Sequence, residues 1–160
     1  MNLQSDRALV LKRHPYSETS LVVTVLTRMH GLVQIVARGA YRPRSRFYAV
    51  LDLFHELELE WAPSKRSELA NLRRGDLLHR RRAITDSLDT YSAATSLLEL
   101  TRLGARPGHR EKRLFDQLTK MLEIIGIPAK MRIDKCRVRV VLKHPVLLVD
   151  DLLPGCRIRI

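Results

Sequence analysis

Between Gly31 and Arg46 the chain reads Gly-Leu-Val-Gln-Ile-Val-Ala-Arg-Gly-Ala-Tyr-Arg-Pro-Arg-Ser-Arg. A short apolar strand runs directly into a loop that carries Arg38, Arg42, Arg44 and Arg46 and no acid. Guanidinium groups suit phosphate oxygens, because each presents a planar fork of donors that never loses its charge. Tyr41, Phe47 and Tyr48 are interleaved with the arginines, and ring faces of this kind stack on bases. Charge for the backbone together with rings for the bases points to nucleic acid. The rings have a second reading, as anchors that tie the root of the loop to a core. Phe47, with no polar end, suits that role better than Tyr41.

A second basic group, Arg73, Arg74, Arg80, Arg81 and Arg82, has Asp76 as the only acid among its members. It lies where a β-rich stretch hands over to a helical one. Two readings stay open for it: an extension of the phosphate track, or a solvated hinge that could equally meet an acidic peptide. The surplus belongs to the whole molecule, with 29 Lys and Arg against 17 Asp and Glu and a formal charge of +12 over 160 residues. Fifteen basic and eight acidic residues fall in 1–85, and fourteen and nine in the rest. Such a surface draws in polyanions.

Enzyme chemistry finds little to work with. There is no Gly-x-x-x-x-Gly-Lys-Ser/Thr, no Gly-x-Gly-x-x-Gly and no His-Glu-x-x-His. Glu56, Glu58 and Glu60 share one face of a predicted strand, where successive side chains lie about 7 Å apart. That spacing reads as a solvated outer face. His55, between Leu53 and Leu57 on the opposite face, reads as a packed core histidine. Cys136 and Cys156 make no disulfide framework, and no cofactor is expected. No apolar run approaches the ~20 residues of a membrane span, and the start Met-Asn-Leu-Gln-Ser-Asp lacks a signal-peptide pattern. The expected location is the cytoplasm, in association with the nucleoid.

The elements that must position these groups follow from periodicity. Arg7–Arg13 is a candidate strand closed by His14-Pro15, and Ser20–Arg28 is rich in β-branched residues. Gly31 is the turn residue before a third run, Leu32–Ala37, so the second and third strands form a hairpin. Residues 51–61 alternate with period 2. Ala62-Pro63-Ser64-Lys65 is a turn signal, and Glu68–Leu72 begins a fifth strand that Arg73-Arg74-Gly75 breaks. Five short strands in about 75 residues fit an OB-type barrel; an SH3-like barrel has a similar strand count and remains the alternative. The period then changes. Asp86 caps a predicted helix over Ser87–Leu103, with Leu88, Tyr91, Thr95, Leu98 and Arg102 on one stripe, Ala94, Leu97 and Thr101 beside it, and Gly104 at its end. Arg110–Ile125 is a second helix stopped by Gly126. Together the two form a hairpin with their stripes buried and their Met and aromatic positions in the core. The fold class is thus α+β: an N-terminal five-stranded OB barrel over 1–80, a small helical domain over 86–128, and a tail over 129–160 that reads as a short strand pair.

The run from Arg13-His14-Pro15-Tyr16-Ser17-Glu18-Thr19 to Gly31, then Ala37-Arg38-Gly39-Ala40, Arg42, Ser45-Arg46 and the strand with Phe54, Leu57 and Leu59, resembles the bacterial RecO family of DNA repair and recombination mediators. The likeness covers roughly the first 80 residues, with a looser fit over Phe115–Lys135. It implies a DNA-binding OB-fold followed by helices, and a non-enzymatic protein that anneals complementary strands. Its implied partners are single- and double-stranded DNA, the single-strand-binding protein and RecR, with which the family helps to load the RecA recombinase. Many members also carry a four-cysteine zinc site that begins near the position of Cys136. Here Arg139 stands where the second thiolate would be, and two thiolates with His144 fall short of four ligands. No metal is expected, and both cysteines read as small apolar residues of terminal strands. Family members continue with more helices, so the tail reads as a divergent or truncated ending. An RNA-binding OB module and a basic protein-interaction adaptor are the competing functions.

Overall fold

The computed structural model describes residues 3–64 and 67–127. Five strands, β1 (Gln4–Pro15), β2 (Leu21–Thr27), β3 (Gly31–Ala37), β4 (Glu56–Ala62) and β5 (Leu69–His79), close into a barrel in the order β1-β2-β3-β5-β4. β3 and β5 run parallel through Gln34–Leu69, Ile35–Ala70 and Val36–Asn71, and every other neighbouring pair is antiparallel. A β5 that crosses over to lie between β3 and β4 gives the Greek-key closure of the OB-fold, which settles the choice against the SH3-like barrel.

The barrel closes because alternate side chains of every strand meet inside it. Val23 and Val25 of β2, Ile35 of β3, and Leu57, Leu59 and Trp61 of β4 are all buried in one cluster with Ala8 and Val10. Burying a side chain of this size is worth about 1.5–3 kcal/mol. The short helix α1 (Phe47–Val50) lies in the β3–β4 connection, and Phe47 and Val50 pack against the same cluster.

A second cluster joins barrel to helices. Leu9, Leu11, Leu26 and Phe54 meet Ile84 of a 3-10 turn (Arg82–Asp86), Ala94 and Leu98 of α2 (Leu88–Gly104), and Phe115, Leu118 and Leu122 of α3 (Lys112–Ile125). The α2–α3 loop is pinned to the β2–β3 turn by Leu32 N–H donating to the Arg106 carbonyl at 3.3 Å and Gly108 N–H to the His30 carbonyl at 3.1 Å. Gly31 has φ +68°, and a Cβ there would lie 2.3 Å from the Arg106 carbonyl oxygen. Only glycine permits both the turn and the loop resting on it.

The structure corrects several expectations. β1 runs from Gln4 to Pro15; Leu11 joins Leu9 in the second cluster, and a register shift between Val10 and Lys12 sets Lys12 opposite Thr24. The alternation over 51–61 is a strand only from Glu56. Leu51 caps α1, and Phe54 adopts φ +66°, a left-handed conformation that costs a non-glycine residue about 1–2 kcal/mol. β5 does not break at Gly75. That glycine pairs with Leu59, whose Cδ2 lies 3.2 Å from where its Cβ would stand, and the strand continues to His79. On α2 the buried positions are Ala94, Leu98 and Thr101, so Leu88 and Tyr91 face outward rather than into the hairpin, and Thr95 is half-buried with its Oγ1 enclosed. Tyr91 is 39% exposed, its ring edge-on to Phe54, whereas Phe115 is core as expected. Ser87, not Asp86, occupies the cap position of α2. The strand pair expected over 129–160, with Cys136 and Cys156, lies outside the described residues.

Candidate nucleic-acid interface

The arginine loop is built from consecutive turns. Arg42 N–H donates to the Gly39 carbonyl at 3.1 Å, Ser45 N–H to the Arg42 carbonyl at 2.9 Å, and Phe47 N–H to Ser45 Oγ at 3.3 Å. Gly39, at φ +70°, leaves room for the Arg42 side chain to fold over it. Tyr41 N–H donates to the Thr19 carbonyl at 3.2 Å, which ties the loop to the β1–β2 turn. Arg38, Arg42, Arg44 and Arg46 are all exposed on this frame.

The three rings divide. Tyr41 and Phe47 are half-buried against the barrel core. Tyr48 is 50% exposed, its ring 5.4 Å from that of Tyr41 and 4.9 Å from the Arg13 guanidinium carbon. Arg13 is itself held by Asp52 at 2.6 Å. Tyr48 is therefore the ring of the three with most face open to a base.

Next to the loop lies a polar face that sequence reasoning missed. Register places Lys12, Thr24 and Gln34 in one row across β1, β2 and β3, and His14, Val22 and Val36 in the next. These residues stand opposite the inward Val23, Val25 and Ile35 and so face out. Thr24 forms the floor of a groove of about 680 Å³, with Lys12 and His14 on one side, Gln34 on the other, and Arg102 of α2 with Pro107 of the α2–α3 loop at its edge. Glu68 is the acid in its lining. The row beyond His14 ends at Ala37, and Arg38 follows, so the arginine loop leaves β3 two rows beyond the Lys12–Thr24–Gln34 row. Lys12 and His14 were findable by carrying the first strand through to Pro15. Arg102 was not, because only the packing of α2 brings it there.

The second basic group splits. Arg73 and Arg74 are exposed on β5, at a register shift that leaves Arg73 without an opposite residue on β4. Arg74 Nε donates to Asp76 at 2.6 Å. Arg80 and Arg82 are exposed in the connection that follows. Arg81 is corrected: its side chain is 3% exposed, it donates from Nη1 to the Phe54 carbonyl at 2.9 Å and from Nη2 to Glu56 Oε2 at 3.1 Å, and it cannot face a phosphate. Glu56 is corrected with it. This carboxylate is buried, not solvated, and it pairs with Arg7 as well as the buried Arg81. A buried charge demands such partners.

His55 is buried, with Nδ1 2.9 Å from the Val50 carbonyl oxygen. Among the described residues there is no group of three or more His, Cys, Asp or Glu placed to hold a metal ion, and no helix long and apolar enough to cross a membrane.

Comparison with known proteins agrees with this architecture. Residues 1–81 match the family model described as Recombination protein O N terminal. The chain is similar to DNA repair protein RecO of Cupriavidus metallidurans, 49% identical over 61 residues that make up 38% of this chain and 20% of that protein. It is 52% identical over 65 residues to the protein of the same name from Burkholderia pseudomallei, which covers 41% of this chain and 23% of the relative. For that of Ralstonia nicotianae the figures are 48% over 69 residues, 43% and 25%. The matched stretches span a fifth to a quarter of these curated relatives' own length. With half of its length accounted for by that model, the chain belongs to the recombination protein O family.

Proposed function

We propose that this chain is a DNA-binding recombination mediator without catalytic activity, which anneals complementary single strands and assists recombinase loading in DNA repair and homologous recombination. The observation that carries the reading is the acid-free, exposed arginine loop together with the β1–β2–β3 groove that Lys12, His14, Thr24 and Gln34 line, on the part of the chain that matches the family. In OB-folds generally, the face of strands 2 and 3 with the loops that follow strands 1 and 4 takes oligonucleotides, and here the β3–β4 arginine loop is tied to the β1–β2 turn through Tyr41.

Residues 1–80 act as the nucleic-acid-binding domain and 86–128 as a helical domain that lends Arg102 to the groove. Arg38, Arg42, Arg44 and Arg46 neutralise phosphates, Tyr48 takes a base, and Arg73, Arg74, Arg80 and Arg82 extend the track around the barrel. Annealing follows from charge. Two strands repel through their phosphates, and a surface that neutralises one of them lowers the cost of bringing up its complement. Duplex DNA meets the same arginines through its backbone. RecR and the single-strand-binding protein enter as partners by family likeness, with action at the nucleoid in the cytoplasm.

The test is fluorescence anisotropy with a labelled single strand across a salt series. If about five phosphates are neutralised, log K against log salt falls with a slope of roughly −3.5, from about 0.7 per phosphate. Replacing Arg42, Arg44 and Arg46 together by Ala brings that slope to roughly −1.4 on the same relation and slows annealing, with the barrel still folded. A flat salt response overturns the nucleic-acid reading. Tighter binding to matched RNA, or to an acidic peptide, would favour the other two functions.

A further inference from the structure

The cations of the helical part sort by whether an acid holds them. Arg102 is paired with Glu99, and Arg28 of the β2–β3 turn reaches across to Asp116 of α3. Arg106, Arg110, Lys112 and Arg113 run through the α2–α3 loop into the first turn of α3, all of them exposed. Among the described residues none of these four takes part in an ion pair, and Glu111 is the only acid between Arg106 and Arg113. Their charges do not serve the helix. A cation in a first turn meets the positive end of the helix dipole, and Lys112 and Arg113 stand there with no acid in that turn. Like charges crowded together in this way favour a polyanion.

The loop that carries them is fixed in place. Pro107 bridges to Gly31 and Leu32, and Gly108 N–H donates to the His30 carbonyl at 3.1 Å. Gly31 lacks the Cβ that would stand 2.3 Å from the Arg106 carbonyl oxygen and 2.5 Å from that of His109. The four cations are therefore presented at the Gly31 end of β3. The arginine loop leaves the Ala37 end, about 20 Å away at ~3.3 Å per residue. Between the two ends stand Lys12 and His14 of β1, both exposed, on the groove that Arg102 and Pro107 edge. Beyond His14, the Thr19 carbonyl of the β1–β2 turn accepts the Tyr41 N–H of the arginine loop.

We propose, resting on the nucleic-acid function above, that the α2–α3 loop is a second phosphate clamp for the strand that the arginine loop holds. One single strand passes from the arginine loop by way of His14 and Lys12 to Arg106 and Arg110, so the site spans both domains. About six stacked nucleotides, at ~3.4 Å each, cover the distance, within the ~4–16 that one OB-fold engages. Once the first clamp is filled, the second meets a tethered strand at high effective concentration. Docking of the loop on Gly31 means that no ordering cost is left for binding to meet.

The experiment is fluorescence anisotropy on the full 160-residue chain, with a labelled oligothymidylate of about 20 nucleotides, longer than the path requires. Arg106→Gln with Arg110→Gln should bring the slope of log K against log salt from roughly −3.5 to roughly −2.1, and weaken binding about 25-fold at about 0.1 M salt, from about 0.7 log unit per phosphate contact. The melting temperature should not fall, because both side chains are exposed and outside any ion pair among the described residues. Arg106→Lys with Arg110→Lys should keep the parental slope. Lys120→Gln, which removes an exposed charge about 10 Å further along α3, should keep it too. An unchanged slope in the glutamine variant overturns the proposal. So does a Lys120→Gln effect as large per charge, which would make the response one of net charge. A glutamine variant that binds the strand as the parent does but anneals slowly also overturns it, and would place the complementary strand on the loop. A flat response of the parent itself would instead overturn the nucleic-acid function.

Discussion

Glu56→Gln removes the charge that Arg81 answers from inside the protein. The two side chains are 4% and 3% exposed, and the Arg81 Nε already lacks a partner. After the substitution the guanidinium keeps the Phe54 carbonyl at 2.9 Å and the approach of Glu123 at 3.7 Å. Glu123 is 55% exposed, and an ion pair so open to water contributes little. Leaving a buried charge without its partner costs about 3–5 kcal/mol. The glutamine carbonyl still accepts one hydrogen bond, which puts the cost near the lower end, about 3 kcal/mol. In a chain of this size that lowers the melting temperature by roughly 6–12 °C. Arg81→Met should cost less, about 2 kcal/mol, because Arg7 still pairs with Glu56. The double variant should lose less than the sum of the two, by about 1 kcal/mol or more. Urea unfolding of the four proteins gives the cycle, and anisotropy gives their affinity for a single strand. Arg81→Met should bind DNA as the parent does once folded, while Arg80→Ala with Arg82→Ala should bind more weakly. The reasoning fails if Glu56→Gln melts within about 1 °C of the parent, a shift worth under 0.5 kcal/mol. It fails equally if Arg81→Met weakens DNA binding as much as that pair with stability unchanged.

Two further outcomes test other joints of the structure. Gly31→Ala places a methyl group 2.3 Å from the Arg106 carbonyl oxygen at φ +68°; it should destabilise the fold by more than about 2 kcal/mol and open the α2–α3 loop to protease, and parental stability with a protected loop would refute the docking. Tyr48→Ala should weaken single-strand binding by about 1–3 kcal/mol with the salt slope unchanged, whereas Phe47→Ala and Tyr41→Ala should lower the melting temperature first, since both rings pack on the barrel core; an unaltered affinity for Tyr48→Ala would mean that the surface works by charge alone.

What residue order decided is local. The β-branched run of β2, Gly31 as a turn, the alternation of Leu57, Leu59 and Trp61, and the two helices could be read because each depends on neighbours a few positions away. The barrel was legible as a strand count, and the arginine loop as a composition. Closure order was not, since β3 meets β5 through pairs such as Gln34–Leu69, and no local pattern encodes a contact across 35 residues. The errors share that cause. Leu51 and Leu53 alternate with Leu57 yet precede the strand, because α1 uses Leu51 to enter the core. Arg81 and Glu56 look like solvated charges until the fold brings them together 25 residues apart and buries both. Lys12, His14 and Arg102 gather at one groove only when the register of three strands and the packing of α2 are both set. A side chain's type states what it can bind; whether it faces water, a core or an opposite charge is settled by segments far away in sequence, and here those segments turned one arginine of a basic cluster inward and left its neighbours facing out.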